Sequence, residues 1–256
     1  MRRWGQHFLI DERVARREVE YADVKKDDTV LEIGPGKGVL TRILAEKAKR
    51  VIAIEVDKKF VNYLTATLPS NVEIIHADVL DVDLEKLGFS KIVSNLPFEI
   101  SSPITFKLLE TSFSKAVLIY QKEFARRMVA KPGSRDYSRL SVMVYYKSVA
   151  RVLEIVPRTA FRPIPKVDGA MVEIIPRESP PFFIRDEDFF KDFLKIAFSN
   201  RRKTLGKIVR MYYGVDLEDE FARRRIGEME PEEIAKICNE VMERCSQRHP
   251  LGCSGC

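Results

Sequence analysis

Glu32-Ile33-Gly34-Pro35-Gly36-Lys37-Gly38 follows a short β-branched run and opens an amphipathic stretch. Glycines there let the backbone approach a ligand closely and take unusual dihedrals. A dinucleotide turn prefers Gly-x-Gly-x-x-Gly, with a pyrophosphate at the helix N-terminus. Here the spacing is Gly-x-Gly-x-Gly, and Glu32 stands two residues before the first glycine. A carboxylate in that place repels phosphate and suits a cationic methionine moiety. Glu55 ends the next apolar run, where its carboxylate can hold two ribose hydroxyls. The glycine turn with Glu55 still fits a nicotinamide enzyme. Asp78, in His76-Ala77-Asp78-Val79, is placed to accept from an adenine amine or to cap a turn. Asn95-Leu96-Pro97-Phe98 follows Lys91-Ile92-Val93-Ser94. In an open parallel sheet ligands sit at the carboxyl ends of the strands. Gly34, Glu55, Asp78 and Asn95 therefore converge on one edge and point to a single ligand site.

The elements that must hold these residues are legible from periodicity. Residues 29–33, 51–55, 72–75, 91–94 and 116–120 read as buried strands. Helical spacing runs through 39–47, 58–67 and 101–109 between them. This βαβ alternation predicts an α/β fold, a mostly parallel sheet with helices on both faces. Three later runs, 142–146, 150–155 and 170–175, are expected as further strands, the last two pairing antiparallel at a sheet edge. Pro176-Arg177-Glu178-Ser179-Pro180-Pro181 is the best candidate linker. Beyond it Phe189, Phe190, Phe193, Leu194, Ile196 and Ala197 recur at three- and four-residue steps, with Asp186 or Asp188 as a cap. The expected domains are a catalytic one over 1–178 and a small α-helical one over 179–256.

Composition narrows the class. The chain has 256 residues, 45% hydrophobic and 32% charged, enough to bury a sizeable core and too apolar for a disordered chain. No run approaches eighteen uncharged apolar residues, and the basic start has no apolar stretch behind it, so neither a transmembrane helix nor a secretory signal is expected. Charge is mild, 44 Lys+Arg against 38 Asp+Glu. Its distribution says more: basic clusters fall at Arg201-Arg202-Lys203, at Arg223-Arg224-Arg225 and over Arg126–Arg139. All four cysteines, Cys238, Cys245, Cys253 and Cys256, lie near the C-terminus, unlike a secreted disulfide scaffold, so a cytoplasmic protein is expected. Cys253 and Cys256 have the spacing of a metal knuckle with His249 nearby. They occupy the last four residues, and no metal is expected.

At this point the chain resembles the S-adenosylmethionine-dependent methyltransferases, and more closely the ribosomal RNA adenine N6,N6-dimethyltransferases with their erythromycin-resistance relatives. The resemblance rests on Gly5-Gln6-His7-Phe8-Leu9, Glu32–Gly38, Asn95-Leu-Pro-Phe-Glu-Ile-Ser-Ser-Pro103 and Phe161-Arg-Pro-Ile-Pro-Lys-Val167. It implies a Rossmann-like sheet plus the helical C-terminal domain, with S-adenosyl-L-methionine as cofactor. It implies that His7 and Leu9 border the cofactor and that Gly34 and Gly36 lie under its methionine part. It further implies that Glu55 binds ribose, Asp78 the adenine, and that Asn95 sits beside the methyl group. The family commonly carries Asn at position 7 and Tyr at position 98, where this chain has His7 and Phe98.

The chemistry follows from the substrate this implies. An adenine exocyclic amine is a poor nucleophile because its lone pair is delocalised. Catalysis needs acceptors that hold its protons and favour a pyramidal nitrogen, and the Asn95 oxygen and Leu96 carbonyl suit that task. Pro97 has no N–H and fixes the turn. Phe98 can stack an extruded base, worth about 1–3 kcal/mol, with Phe161 as candidate for the opposing face. Transfer is an in-line displacement driven by positioning, and no histidine is evidently placed as a base. Arg201, Arg202, Lys203, Arg223 and Arg224 are the candidate phosphate contacts, the RNA lying across a cleft between the domains. The resemblance implies two adjacent adenines in the 3′-terminal hairpin of small-subunit rRNA, modified during subunit biogenesis by a monomer. The alternatives are a large-subunit methyltransferase of the resistance type and an assembly factor whose main role is binding. A DNA adenine or protein-glutamine methyltransferase would carry Pro where Leu96 stands.

Overall fold

The structure, a computed structural model, describes residues 7–248. Within that range the chain forms two compact units, residues 7–126 with 148–176, and 127–147 with 177–248. Gly5 and Gln6 of the first motif, His249, Cys253 and Cys256 lie outside the described residues.

The first unit begins with β1 (Phe8–Leu9) and α1 (Glu12–Tyr21). Asp11 starts α1 by accepting from the Arg13 N–H at 3.0 Å, satisfying a donor that the helix itself leaves orphaned. There follow β2 (Thr29–Ile33), α2 (Val39–Lys47), β3 (Arg50–Glu55), α3 (Lys58–Thr67) and β4 (Val72–His76). Next come β5 (Lys91–Asn95), α4 (Ser101–Leu108), β6 (Lys115–Gln121) and α5 (Lys122–Met128). The helix α6 (Arg139–Lys147) belongs to the second unit. The chain returns as β7 (Ser148–Val156), β8 (Phe161–Arg162) and β9 (Gly169–Pro176).

Seven strands form one sheet in the order β4-β3-β2-β5-β6-β9-β7. The first five run parallel, and β9 lies antiparallel to both β6 and β7. The edge pairing of 150–155 with 170–175 is therefore as expected. Strands β2, β3, β5 and β6 read as continuous apolar runs because both faces are covered. On one face Val30, Val51, Val93 and Val117 join a buried cluster with Val14, Ala15 and Val19 of α1 and Leu40, Ile43 and Leu44 of α2. On the other, the Tyr120 hydroxyl meets Thr105 Oγ1 of α4 at 2.9 Å. The chain winds outward from β2 to β4 and then returns to the other side of β2 as β5. That reversal opens a crevice between the carboxyl ends of β2 and β5, where ligands bind in such sheets.

The second unit adds α7 (Glu187–Ser199), α8 (Leu205–Tyr213), α9 (Asp219–Ala222) and α10 (Pro231–Arg248). Asp186 caps α7, accepting from the Phe189 N–H at 2.8 Å. Two sequence expectations need correction. The run 142–146 is not a strand but lies in α6, where Leu140, Val142, Met143, Val144 and Tyr146 are all buried. A short β-branched run apolar on every side has no alternation to separate the two states, and its composition favours the wrong one. With α6 in the helical unit, 127–147 leaves the expected catalytic domain, and the later boundary falls after Pro176 instead of residue 178.

Thr105 Oγ1 also donates to the Ser101 carbonyl at 2.6 Å. Its single proton is thereby spent, so the buried Tyr120 hydroxyl is the donor in their mutual bond. Tyr120→Phe removes that bond while leaving Thr105 its acceptor. Urea denaturation should show a loss of about 1 kcal/mol with an unchanged m-value.

Candidate active site

A cavity opens at the carboxyl ends of β2, β3, β4 and β5. His7, Leu9, Gly34, Gly36, Glu55, Asp78, Asn95, Leu96, Pro97 and Phe98 all line it. The structure thus brings together every residue expected at the cofactor and at the reacting amine. Phe8 lines it too, and the sequence reading had assigned it no role.

The turn after β2 closes when the Gly34 N–H donates to the Ile54 carbonyl at 2.9 Å. Gly36 has φ +54°, and a Cβ there would stand 2.6 Å from the Phe8 ring. Both its dihedral and its neighbour therefore demand glycine. That close approach is the signal that pointed to Phe8, whose ring also packs on Phe60 with centroids 5.1 Å apart.

Glu55 is buried at the end of β3. Its Oε2 accepts from the Gly36 N–H at 3.2 Å and its Oε1 from the Asp57 N–H at 2.9 Å. Burial raises its carboxyl above the usual range, against the pull of those backbone donors. Each oxygen keeps a further lone pair, enough for two hydroxyls of a ribose. Asp78 Oδ1 accepts from the Leu80 N–H at 2.9 Å. It is thus a turn cap as well as a cavity residue.

At the end of β5 the Asn95 amide is split between two tasks. Its Nδ2 donates to the His7 carbonyl at 3.4 Å, and its Oδ1 is buried with no hydrogen-bond partner among the described residues. In the next turn the Pro97 carbonyl accepts from the Ile100 N–H at 3.1 Å and the Phe98 carbonyl from Ser101 Oγ at 2.9 Å. Among the described residues none is recorded donating to the Leu96 carbonyl. The first motif reaches this loop through a two-stranded sheet in which Phe8 pairs with Arg162 and Leu9 with Phe161. This pairing explains why segments so distant in sequence both matter.

Phe161 requires a correction. It is 0% exposed and sits in the core, edge-on to Phe98 with centroids 6.3 Å apart. A ring with no free face cannot stack on a base, so Phe161 props Phe98 instead. The ring that flanks Phe98 on the cavity wall is His7, with centroids 5.9 Å apart.

Behind the glycine turn lies a pair of buried acids. Among the described residues, both oxygens of Glu18 and one of Glu32 are buried without hydrogen-bond partners. Burial pushes the Glu32 carboxyl up to about 8, with the Thr41 hydroxyl opposing and Glu55 adding. Glu18 is raised well above the usual range by burial and then by Glu32. Glu32 therefore holds its proton more readily than an ordinary carboxyl at neutral pH, and a cation arriving beside it favours its ionisation.

In the helical unit the three basic clusters converge. Arg201 Nη1 donates to the Arg135 carbonyl at 3.0 Å, and the Leu205 N–H donates to the Arg224 carbonyl at 2.8 Å. Arg201, Arg202, Lys203 and Arg223 are exposed. Arg224 is not available in the same way, because its guanidinium grips Glu233 at 2.5 and 2.9 Å.

A doubly wound sheet with a glycine turn at the β2 end, a carboxylate at the β3 end and an amide at the β5 end places the chain among proteins that bind a nucleoside-containing cofactor. The ribosomal RNA adenine dimethylase model matches residues 1–243. A probable ribosomal RNA small subunit methyltransferase A of Methanosarcina acetivorans is 44% identical over 253 residues, 94% of this chain and 93% of the relative. One of the same description from Methanococcus maripaludis is 48% identical over 204 residues, 78% of this chain and 76% of the relative. Among solved structures, a dimethyladenosine transferase from Plasmodium falciparum has a TM-score of 0.79 and 30% identity, covering 93% of this chain and 98% of that one. The 23S rRNA methyltransferase ErmE has a TM-score of 0.66 and 27% identity, covering 92% and 99%. The chain belongs to the ribosomal RNA adenine dimethylase family. Its cofactor is S-adenosyl-L-methionine. The donor set fits that group: spare carboxylate lone pairs for hydroxyls, a glycine bed free of side chains, and an acid able to ionise beside a cation.

The acids set a pH dependence of stability. Their folded pKa values lie above the unfolded 4.5, so the folded state holds more protons between the two. Their contribution is fully present below about pH 4.5; that of Glu32 is lost as pH rises towards about 8, and that of Glu18 is lost above 4.5 as well. Each contributes a slope of roughly 1 kcal/mol per pH unit while it titrates. Glu18→Gln should flatten this decline, measured as the urea midpoint across pH 5–8.

Proposed function

We propose that this protein transfers methyl groups to the N6 amines of two adjacent adenines in the 3′-terminal hairpin of small-subunit rRNA, giving N6,N6-dimethyladenosine. The observation that carries the reading is the divided Asn95 amide. Its NH2 is committed to the His7 carbonyl and its buried oxygen is left unbonded. A buried acceptor without a donor costs about 1–3 kcal/mol. The cavity therefore gains when a substrate N–H supplies the missing bond. Relatives named for the small subunit, 43–48% identical, support that target over the large-subunit one.

Asn95 Oδ1 and the Leu96 carbonyl hold the two amine protons, which draws the nitrogen lone pair out of conjugation. Phe98 supports the base from one side, and buried Phe161 fixes the angle of Phe98. Glu55 takes the ribose hydroxyls and Asp78 the adenine amine of the cofactor, while His7, Leu9, Gly34 and Gly36 shape the bed around it. When bound, the cofactor supplies an electrophilic methyl on a positively charged sulfur. Positioning does the rest. The catalytic domain we infer is the sheet unit, and the helical unit, with 127–147, carries RNA contacts through Arg201, Arg202, Lys203 and Arg223. We place the reaction on an immature small subunit in the cytoplasm, by a monomer. No helix among the described residues is long and apolar enough to cross a membrane.

Incubating unmodified small subunits with labelled cofactor, followed by nucleoside analysis, should yield dimethyladenosine; label in large-subunit RNA instead would overturn the assignment. In the same assay Asn95→Ala should lose at least about 100-fold in turnover, the scale of one lost transition-state hydrogen bond. Its affinity for S-adenosylhomocysteine should hold, as measured by calorimetry. Arg202→Glu with Lys203→Glu should weaken RNA binding and lower the salt slope by about 2, read from titrations at several ionic strengths.

A further inference from the structure

We propose that Lys37 is a further cofactor-binding residue, holding the carboxylate of the methionine part of S-adenosyl-L-methionine. Lys37 lines the cavity from within the glycine turn, and among the described residues it is the only Lys or Arg that does. Glu32, Glu55 and Asp78 share that wall. Their carboxyls suit the ribose hydroxyls, the adenine amine and the cationic groups of the cofactor. An ionised carboxylate only accepts hydrogen bonds, so the anionic end of the cofactor needs donors from elsewhere.

The glycines of the turn have none to spare. In a phosphate-binding turn the backbone N–H groups face the anion. Here the Gly34 N–H donates to the Ile54 carbonyl at 2.9 Å, the Gly36 N–H to Glu55 Oε2 at 3.2 Å and the Gly38 N–H to the Pro35 carbonyl at 2.9 Å. Pro35 has no N–H. Arg42, the next cation along the chain, is also spent. Its Nη1 donates to the carbonyls of Lys37 and Gly38 at 2.9 and 3.0 Å, and its Nη2 to the Tyr63 hydroxyl at 3.2 Å. Lys37 is the opposite case. Its ammonium stands over the Phe8 ring, 5.6 Å from the centroid, a contact that places a cation without neutralising it. Among the described residues no carboxylate pairs with it. The ring is itself fixed, by the pairing of β1 with β8 and by Phe60. Gly38 begins α2 with no side-chain cap, so the positive end of that helix adds to the potential beside Lys37.

Calorimetry with two ligands tests the role: S-adenosylhomocysteine, and its decarboxylated form, in which a hydrogen replaces the carboxylate. Lys37→Met keeps a long chain beside Phe8 and removes the charge. It should weaken S-adenosylhomocysteine at least about threefold more than it weakens the decarboxylated ligand, within the range of an exposed charge pair. Binding of the decarboxylated ligand also shows that the variant folds. Lys37→Arg keeps the cation and should hold the wild-type ratio of the two affinities within about twofold. A smaller difference in Lys37→Met, which leaves the carboxylate to the helix end, would overturn the assignment. So would the loss of both ligands together, or loss of the wild-type ratio in Lys37→Arg. Lys37 needs only the cofactor for this role, so failure to methylate small-subunit RNA would overturn the target proposed above and leave the calorimetry unmoved.

Discussion

The unsatisfied oxygen of Asn95 is the constraint on which the rest of the site turns. A buried polar atom without a partner is costly, and this one persists because the amide is held from its other end. That hold needs the His7 main chain, which in turn needs β1 paired with β8. The parallel strands β2 and β5 then fix where the amide stands. A small two-stranded sheet at the rim thereby orients a side chain at the centre of a seven-stranded one.

The cavity's electrostatics are arranged by desolvation more than by ion pairing. Three carboxyls, Glu18, Glu32 and Glu55, are raised by burial. Only Glu55 has backbone donors on both oxygens, from Gly36 and Asp57. That difference divides them by task. Glu55 is a fixed acceptor that also braces the glycine turn. Glu32 is a neutral group whose charge becomes favourable when a cation is near. Glu18 is a helix residue buried behind the turn, raised by burial and then by Glu32.

The helical unit shows the opposite economy. Its cationic residues are exposed and clustered by folding, since segments far apart in sequence are stitched by main-chain bonds such as Gly133 N–H to the Gly227 carbonyl at 2.7 Å. An Arg in a run of three is not thereby a phosphate ligand. Arg224, between two exposed neighbours, spends its charge on Glu233.

The sheet and the residues at its strand ends were legible in the sequence because parallel strands buried on both faces read as apolar runs, and the turns after them carry the polar residues. Glu55, Asp78 and Asn95 sit one strand-end apart in space for that reason. The helix over Arg139–Lys147 was not legible, since a short, mostly buried apolar run reads the same as helix or strand. Nor were three facts about side chains: that Phe161 has no free face, that Glu18 and Glu32 are buried near enough to influence each other, and that the His7 ring is pinned through Nδ1. Each depends on which distant segments pack together. Chemical type and local period are properties of the chain, whereas exposure, protonation and tautomer are properties of the neighbours that tertiary folding supplies.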